Sequence, residues 1–204
     1  MRGRFPDAWG VWHKNGAMAR PRPPRSPVPL DRKRLEEMAL RYVGRYATSR
    51  AKLVSYLSRK IQERGWSEEQ DPGLAALADR FCSLGYVDDA SYALAKAHAL
   101  TSRGYGKRRL GDKLRLAGIE GDAAADALRH ADAEALEAAL RFAKRRRIGP
   151  FAARESDARD REKAIGAMVR AGHSYTLARE IADMPPGAEV DKQQLYERTG
   201  LTLS

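Results

Sequence analysis

A chain of 204 residues and 22.7 kDa is long enough to enclose a core in one or two domains, which excludes a disulfide-stapled miniprotein. Apolar residues supply 43% and charged residues 32%, and no run approaches the roughly 18 consecutive apolar residues that a membrane span needs. The net charge of +11 and a pI near 10 point to an anionic partner, most often nucleic acid.

Alanine occurs 34 times and leucine 20 times, against 17 valine, isoleucine and threonine residues together, which is the balance of an all-α protein. The single cysteine, Cys82, can form no internal disulfide; near Phe81 and Leu84 it reads as a small buried hydrophobe in a protein of the reducing cytosol. Residues 1–30 hold six of the ten prolines and carry a net +5, the composition of an extended basic arm. The arm lacks the apolar h-region of a secretory signal, and an Arg-rich transit peptide is an alternative only in a eukaryote. Trp9 and Trp12 stand outside any apolar period, and Met18 offers an alternative start.

Helical spacing begins at Asp31. Asp31 caps a first helix with Leu35, Met38, Tyr42 and Tyr46 on one face, running to about Ala47. Ser49 caps a second, bearing Leu53, Leu57 and Ile61 and stopped by Gly65; Asp71-Pro72 opens a third with Leu74, Leu77, Phe81 and Leu84, ending at Gly85. The triplet then recurs. Asp88 or Asp89 caps a helix bearing Tyr92, Ala95 and Ala99, broken by Gly104 and Gly106. Leu110 and Leu114 mark the next helix up to Gly118, and Ala124 or Ala125 with Leu128 marks a short third. A further cycle begins at Asp132 with Leu136, Leu140 and Ala143 and passes Ile148-Gly149-Pro150. It resumes after Ser156 with Ile165, Met168 and Val169, stops at Gly172, and closes with Tyr175, Leu177, Ala178 and Ile181 before Pro185-Pro186.

Leu53 and Leu57 align with Leu110 and Leu114, and Leu114-x-x-Ala117-Gly118 resembles Met168-x-x-Ala171-Gly172. Triplets of short helices that cannot each enclose a core stack on their neighbours. The expected fold is therefore all-α, an elongated curved array of three tandem three-helix repeats over 31–86, 87–131 and 132–184, followed by a C-terminal tail over 185–204. Charge alternates along it: +6 over 31–65, −4 over 66–100, +5 over 101–118, −5 over 119–140 and +5 over 141–147. One such block is an ordinary solvated helix face; three basic blocks at comparable places in repeats point to a shared basic face.

Catalytic chemistry finds little support. His13, His98, His130 and His173 are far apart in sequence and share no metal-ligand spacing, and nothing implies a cofactor. Asp88-Asp89 stands directly before a helix, where carboxylates cap and favour the dipole rather than divide acid and base roles. Gly104-Tyr105-Gly106 suggests a phosphate loop, yet no strand precedes it and no Gly-Lys-Ser/Thr follows. The glycines instead bend the chain and leave Lys107, Arg108 and Arg109 on a first helical turn, where they oppose the dipole; an anion bound there would remove that conflict.

The segment Gly85-Tyr86-Val87-Asp88-Asp89-x-x-Tyr92-Ala93, followed by Arg103-Gly104-Tyr105-Gly106-x-x-Arg109-Leu110-x-x-x-Leu114-x-x-Ala117-Gly118-Ile119, resembles the central repeat of the RecX family, bacterial regulators of the RecA recombinase. The resemblance covers about residues 35–182. Leu110 stands where the family usually has isoleucine and Lys107 where proline is frequent; the third repeat matches most loosely, with a long basic linker from Arg141 to Arg147. The resemblance implies a non-enzymatic modulator, mainly an inhibitor, that enters the groove of the RecA filament on single-stranded DNA and restrains ATP hydrolysis, strand exchange and filament growth. The lone cysteine and the lack of a membrane span or secretory signal point to a cytoplasmic protein, and monomer is the simplest reading of its state.

The candidate contact residues are Arg50, Lys52, Arg59 and Lys60 in the first repeat and Lys107, Arg108, Arg109, Lys113 and Arg115 in the second. Arg145, Arg146 and Arg147 form a second patch. Tyr105, in a glycine loop beside basic residues, is the candidate for base stacking, whereas Tyr42, Phe81 and Tyr92 lie on apolar stripes and read as core. An autonomous DNA-binding protein with helix-turn-helix-like units is the alternative, and a purely structural scaffold a third reading. The basic middle helices suit weak, non-specific phosphate contacts better than base readout.

Overall fold

The computed structural model describes residues 28–201, so all but the last three residues of the expected basic arm lie outside the described residues, with Trp9, Trp12 and His13. The described chain is all-α. Its helices are α1 (Arg32–Arg45), α2 (Arg50–Arg64), α3 (Leu74–Ser83), α4 (Asp89–Thr101) and α5 (Lys107–Arg115). They continue with α6 (Asp122–Ala133), α7 (Ala135–Arg146), α8 (Ala158–Arg170), α9 (Tyr175–Ala182) and α10 (Lys192–Thr199).

Helix starts follow local capping chemistry. The side chains of Asp31, Ser49, Asp88, Asp157 and Ser174 each accept from a backbone N–H three residues on, satisfying a donor that the first turn leaves unpaired. Four boundaries differ from the sequence reading. Asp71 does not open α3: its carboxylate accepts from Gly73 N at 2.7 Å, and Gly73, in the left-handed region at φ 60°, starts the helix at Leu74. Asp132 lies inside α6, because the buried stripe Ala124, Ala127 and Ala131 carries that helix to Ala133. Arg141–Arg147 is not a linker: buried Phe142 and Ala143 hold it as the last turns of α7 and its cap. The segment after Pro186 contains α10, capped by Asp191 and seated by buried Leu195.

Buried apolar side chains gather in three clusters. One joins α1, α2 and α3 through Leu35, Leu53, Leu57, Leu77 and Phe81. A second joins α4, α5 and α6 through Ala93, Ala97, Leu110, Leu114 and Ala127. The third joins α7, α8 and α9 through Leu136, Met168, Leu177 and Ile181, with Leu195 of α10 added. Leu30 belongs to the first cluster rather than to a free arm: it is fully buried, donates to Gly65 O at 3.0 Å, and accepts from Ser67 N at 3.0 Å.

The clusters are joined by their middle helices, which meet end to end. Ser49, the cap of α2, donates its hydroxyl to Ala117 O at the end of α5, at 2.6 Å. Gly106, the cap of α5, donates its N–H to Ala171 O at the end of α8, at 3.0 Å. Each junction thus sets unpaired carbonyls of one helix against the start of the next, the favourable alignment of two helix dipoles. The junctions leave no room for a β-carbon. One at Gly106 would lie 2.3 Å from Gly172 O, and one at Gly118 would lie 2.4 Å from Ala51 Cβ.

Candidate nucleic-acid interface

An open cleft of about 470 Å³ lies where α5, α7 and α8 approach one another. Its walls carry four arginines, Arg109, Arg145, Arg146 and Arg170, around Tyr105 and Phe142. The Arg109 guanidinium stands 4.4 Å from the Tyr105 ring centroid, and Arg145 lies 5.7 Å from the same ring and 5.4 Å from Phe142. For Arg109, Arg145 and Arg146, aromatic faces thus replace carboxylates as neighbours. Among the described residues none of the four arginines has a carboxylate within salt-bridge distance, and the buried Arg109 Nε has no hydrogen-bond partner. Arg145 also donates to Arg103 O, and a cluster of like charges left without carboxylate counter-ions is arranged to bind an anion with several oxygens.

Of the sequence-selected residues, Tyr105, Arg109, Arg145 and Arg146 converge here. Arg170 was missed, although it stands two residues after Met168 as Arg59 stands two after Leu57. Arg147 adopts the left-handed conformation, φ 55°, and caps α7.

A second open groove, about 630 Å³, lies between α1 and α2 and contains Lys52 and Arg59 with Arg41, Arg45, Tyr42, Tyr46 and Tyr56. Tyr42, read as core, packs partly buried on the first cluster at the edge of this groove, while Tyr46, on the same helical face, is 50% exposed.

The remaining candidates are dispersed. Arg50 pairs with Asp79 at 2.5 Å; that hydrogen bond raises the guanidinium's pKa and lowers the carboxyl's. Lys60 pairs with Glu63 at 2.5 Å, while Arg115 pairs with Asp112 at 2.9 Å and Lys113 is exposed beside it on α5. Lys107 pairs with Asp132 at 2.5 Å, and Arg108 donates to Val169 O at 2.9 Å. These last contacts correct the expectation of an anion at the start of α5. Gly106 N and Arg108 N already donate to Ala171 O and Gly172 O, so carbonyls of α8 occupy that place and the basic side chains complement the end of α8.

Among the described residues no group of three or more His, Cys, Asp or Glu side chains could hold a metal, and no helix is long and apolar enough to cross a membrane.

Fold and site together define a class: an all-helical protein built on end-to-end middle helices, with open basic-aromatic clefts beside them. No family model matches the chain. It is 31% identical over 173 residues to regulatory protein RecX of Myxococcus xanthus, covering 81% of this chain and 92% of that one. It is 34% identical over 168 residues to regulatory protein RecX of Thermobifida fusca, covering 78% and 83% of the two chains. The crystal structure of RecX from Lactobacillus salivarius superposes with a TM-score of 0.53 at 17% identity, covering 74% of this chain and 93% of that one. The chain belongs to the RecX family of regulatory proteins.

Proposed function

We propose that this chain regulates the RecA recombinase in the cytoplasm, as a monomeric, non-enzymatic protein that binds the RecA filament on single-stranded DNA. Its main effect is inhibitory: it restrains ATP hydrolysis, strand exchange and filament growth. The observation that carries the nucleic-acid part is the cleft in which Arg109, Arg145, Arg146 and Arg170 surround Tyr105 and Phe142 without a carboxylate partner. Arginine forks suit phosphate, and a face without outward Asn or Gln beside small residues suits backbone contact over sequence readout. Membership in the RecX family supports the recombinase as the protein partner.

The test is equilibrium binding to a labelled oligonucleotide, bare or coated with RecA, across a salt series. The bare strand is expected to bind weakly and without sequence preference, with a log–log salt slope of about −0.7 for each phosphate neutralised. The coated strand is expected to bind more tightly, and Arg109→Glu/Arg145→Glu/Arg170→Glu to lose both interactions. Salt-insensitive binding to one duplex sequence would overturn the reading in favour of an autonomous DNA-binding protein.

A further inference from the structure

The groove between α1 and α2 holds an arrangement that phosphate binding alone does not use. Tyr42 and Tyr56 stack with ring centroids 4.1 Å apart and planes 10° from parallel, and Tyr46 leans on Tyr42 at 5.4 Å. Among the described residues none of these three hydroxyls has a protein hydrogen-bond partner, unlike that of Tyr92, which accepts from Lys52. Tyr46 is 50% exposed, so the cluster ends in a ring that faces solvent.

The groove is also cationic. Arg45 lies 5.6 Å from the Tyr46 ring and has no carboxylate within salt-bridge distance among the described residues. Arg41 and Arg59 make only long, exposed pairs with Glu37 at 3.8 Å and Glu63 at 3.7 Å, which contribute little and exchange readily. The cationic positions repeat those of the arginine cleft. Arg45 sits in the last turn of α1 as Arg145 does in that of α7, and Arg59 follows buried Leu57 as Arg170 follows buried Met168. In the middle helix α5 the corresponding residue is Leu116, so the pair of clefts is confined to the outer clusters.

We infer that the α1–α2 groove is a stacking site for unpaired bases, with Tyr46 as the receiving ring and Arg45 and Arg59 beside the phosphates. This rests on the nucleic-acid reading and divides the work: the third cluster, with four arginines around a half-buried Tyr105, grips backbone, while the first, whose Tyr46 is 50% exposed, reads the presence of free bases. A duplex keeps its base faces stacked internally and an acidic peptide has none, so only a single strand uses both parts of the groove.

The test compares the full chain with Tyr46→Ala and Tyr46→Phe, using an oligothymidylate and an abasic oligonucleotide of equal length. Tyr46→Ala is expected to weaken the oligothymidylate by about 5- to 150-fold, to leave the abasic strand unchanged, and to be rescued by Tyr46→Phe. Equal loss on both probes, no loss on either, or equal competition by polyglutamate of the same charge would overturn the stacking site. Arg109→Glu/Arg145→Glu/Arg170→Glu separates the two failures. If it weakens both probes while Tyr46→Ala is silent, only the stacking site falls; if it too is silent, the nucleic-acid reading falls.

Discussion

His173 is the buried histidine among the described residues, 5% exposed, and its Nε2 donates to Gly104 O at 3.1 Å across the junction between the second and third clusters. Burial holds its pKa below the ordinary value near 6.5, with the Gly104 carbonyl offsetting part of that shift. Burial and the neighbouring His98 act in the same direction on His130. As pH falls below about 6.5 the unfolded chain therefore takes up protons that the folded chain refuses, and stability falls, by at most about 1.4 kcal/mol per pH unit for each group. The carboxylates of Asp79 and Asp88, held below their ordinary range by Arg50 and Ser91, lose their contribution only at lower pH, so a series from pH 7.5 to 5.5 isolates the histidines. Urea midpoints should decline over that series, and less steeply in His173→Gln; identical slopes would show that His173 is not the group responsible. At this scale the sequence was legible where the partner is near: the caps Asp31, Ser49 and Asp88 need only an N–H three residues away. Arg170 was not, because its cleft partners come from other helices, and Tyr46 was not, because its exposure depends on how α2 packs beside α1.

The endings Ala117-Gly118 after α5 and Ala171-Gly172 after α8 form the joints with the starts of α2 and α5. Gly172, at φ +100°, would carry a β-carbon 2.5 Å from Arg109 N, against backbone that cannot yield, whereas one at Gly85, φ +74°, would meet nothing within 4 Å. Gly172→Ala is expected to cost about 3 kcal/mol, from overpacking added to left-handed strain, and Gly85→Ala about 1 kcal/mol, from strain alone. Chemical denaturation of the two variants checks this; equal losses would mean that the joint is not tightly packed. The likeness of Leu114-x-x-Ala117-Gly118 to Met168-x-x-Ala171-Gly172 is visible as a repeat, but its use is not, since spacing reveals that an ending recurs and not what it touches. The same holds for α10: eight residues with one buried leucine make too weak a period to register, and packing against the third cluster supplies what propensity lacks.

Across the whole molecule, the +11 charge is sorted rather than spread. Arg50, Lys60, Lys107 and Arg115 are matched by nearby carboxylates, whereas Arg45, Arg109, Arg145, Arg146 and Arg170, which line the two clefts, have no carboxylate within salt-bridge distance among the described residues. Sequence blocks conveyed the excess but not this sorting, because pairing depends on which helices pack together. The proposed engagement of the filament by these two clefts is measured most directly by RecA-catalysed ATP hydrolysis on single-stranded DNA. Titrated in at substoichiometric amounts, the protein should slow hydrolysis, and Arg109→Glu/Arg145→Glu/Arg170→Glu, with helicity intact by circular dichroism, should fail to do so at the same amounts. Hydrolysis unaffected by the wild-type chain, or slowed equally by the variant, would contradict it.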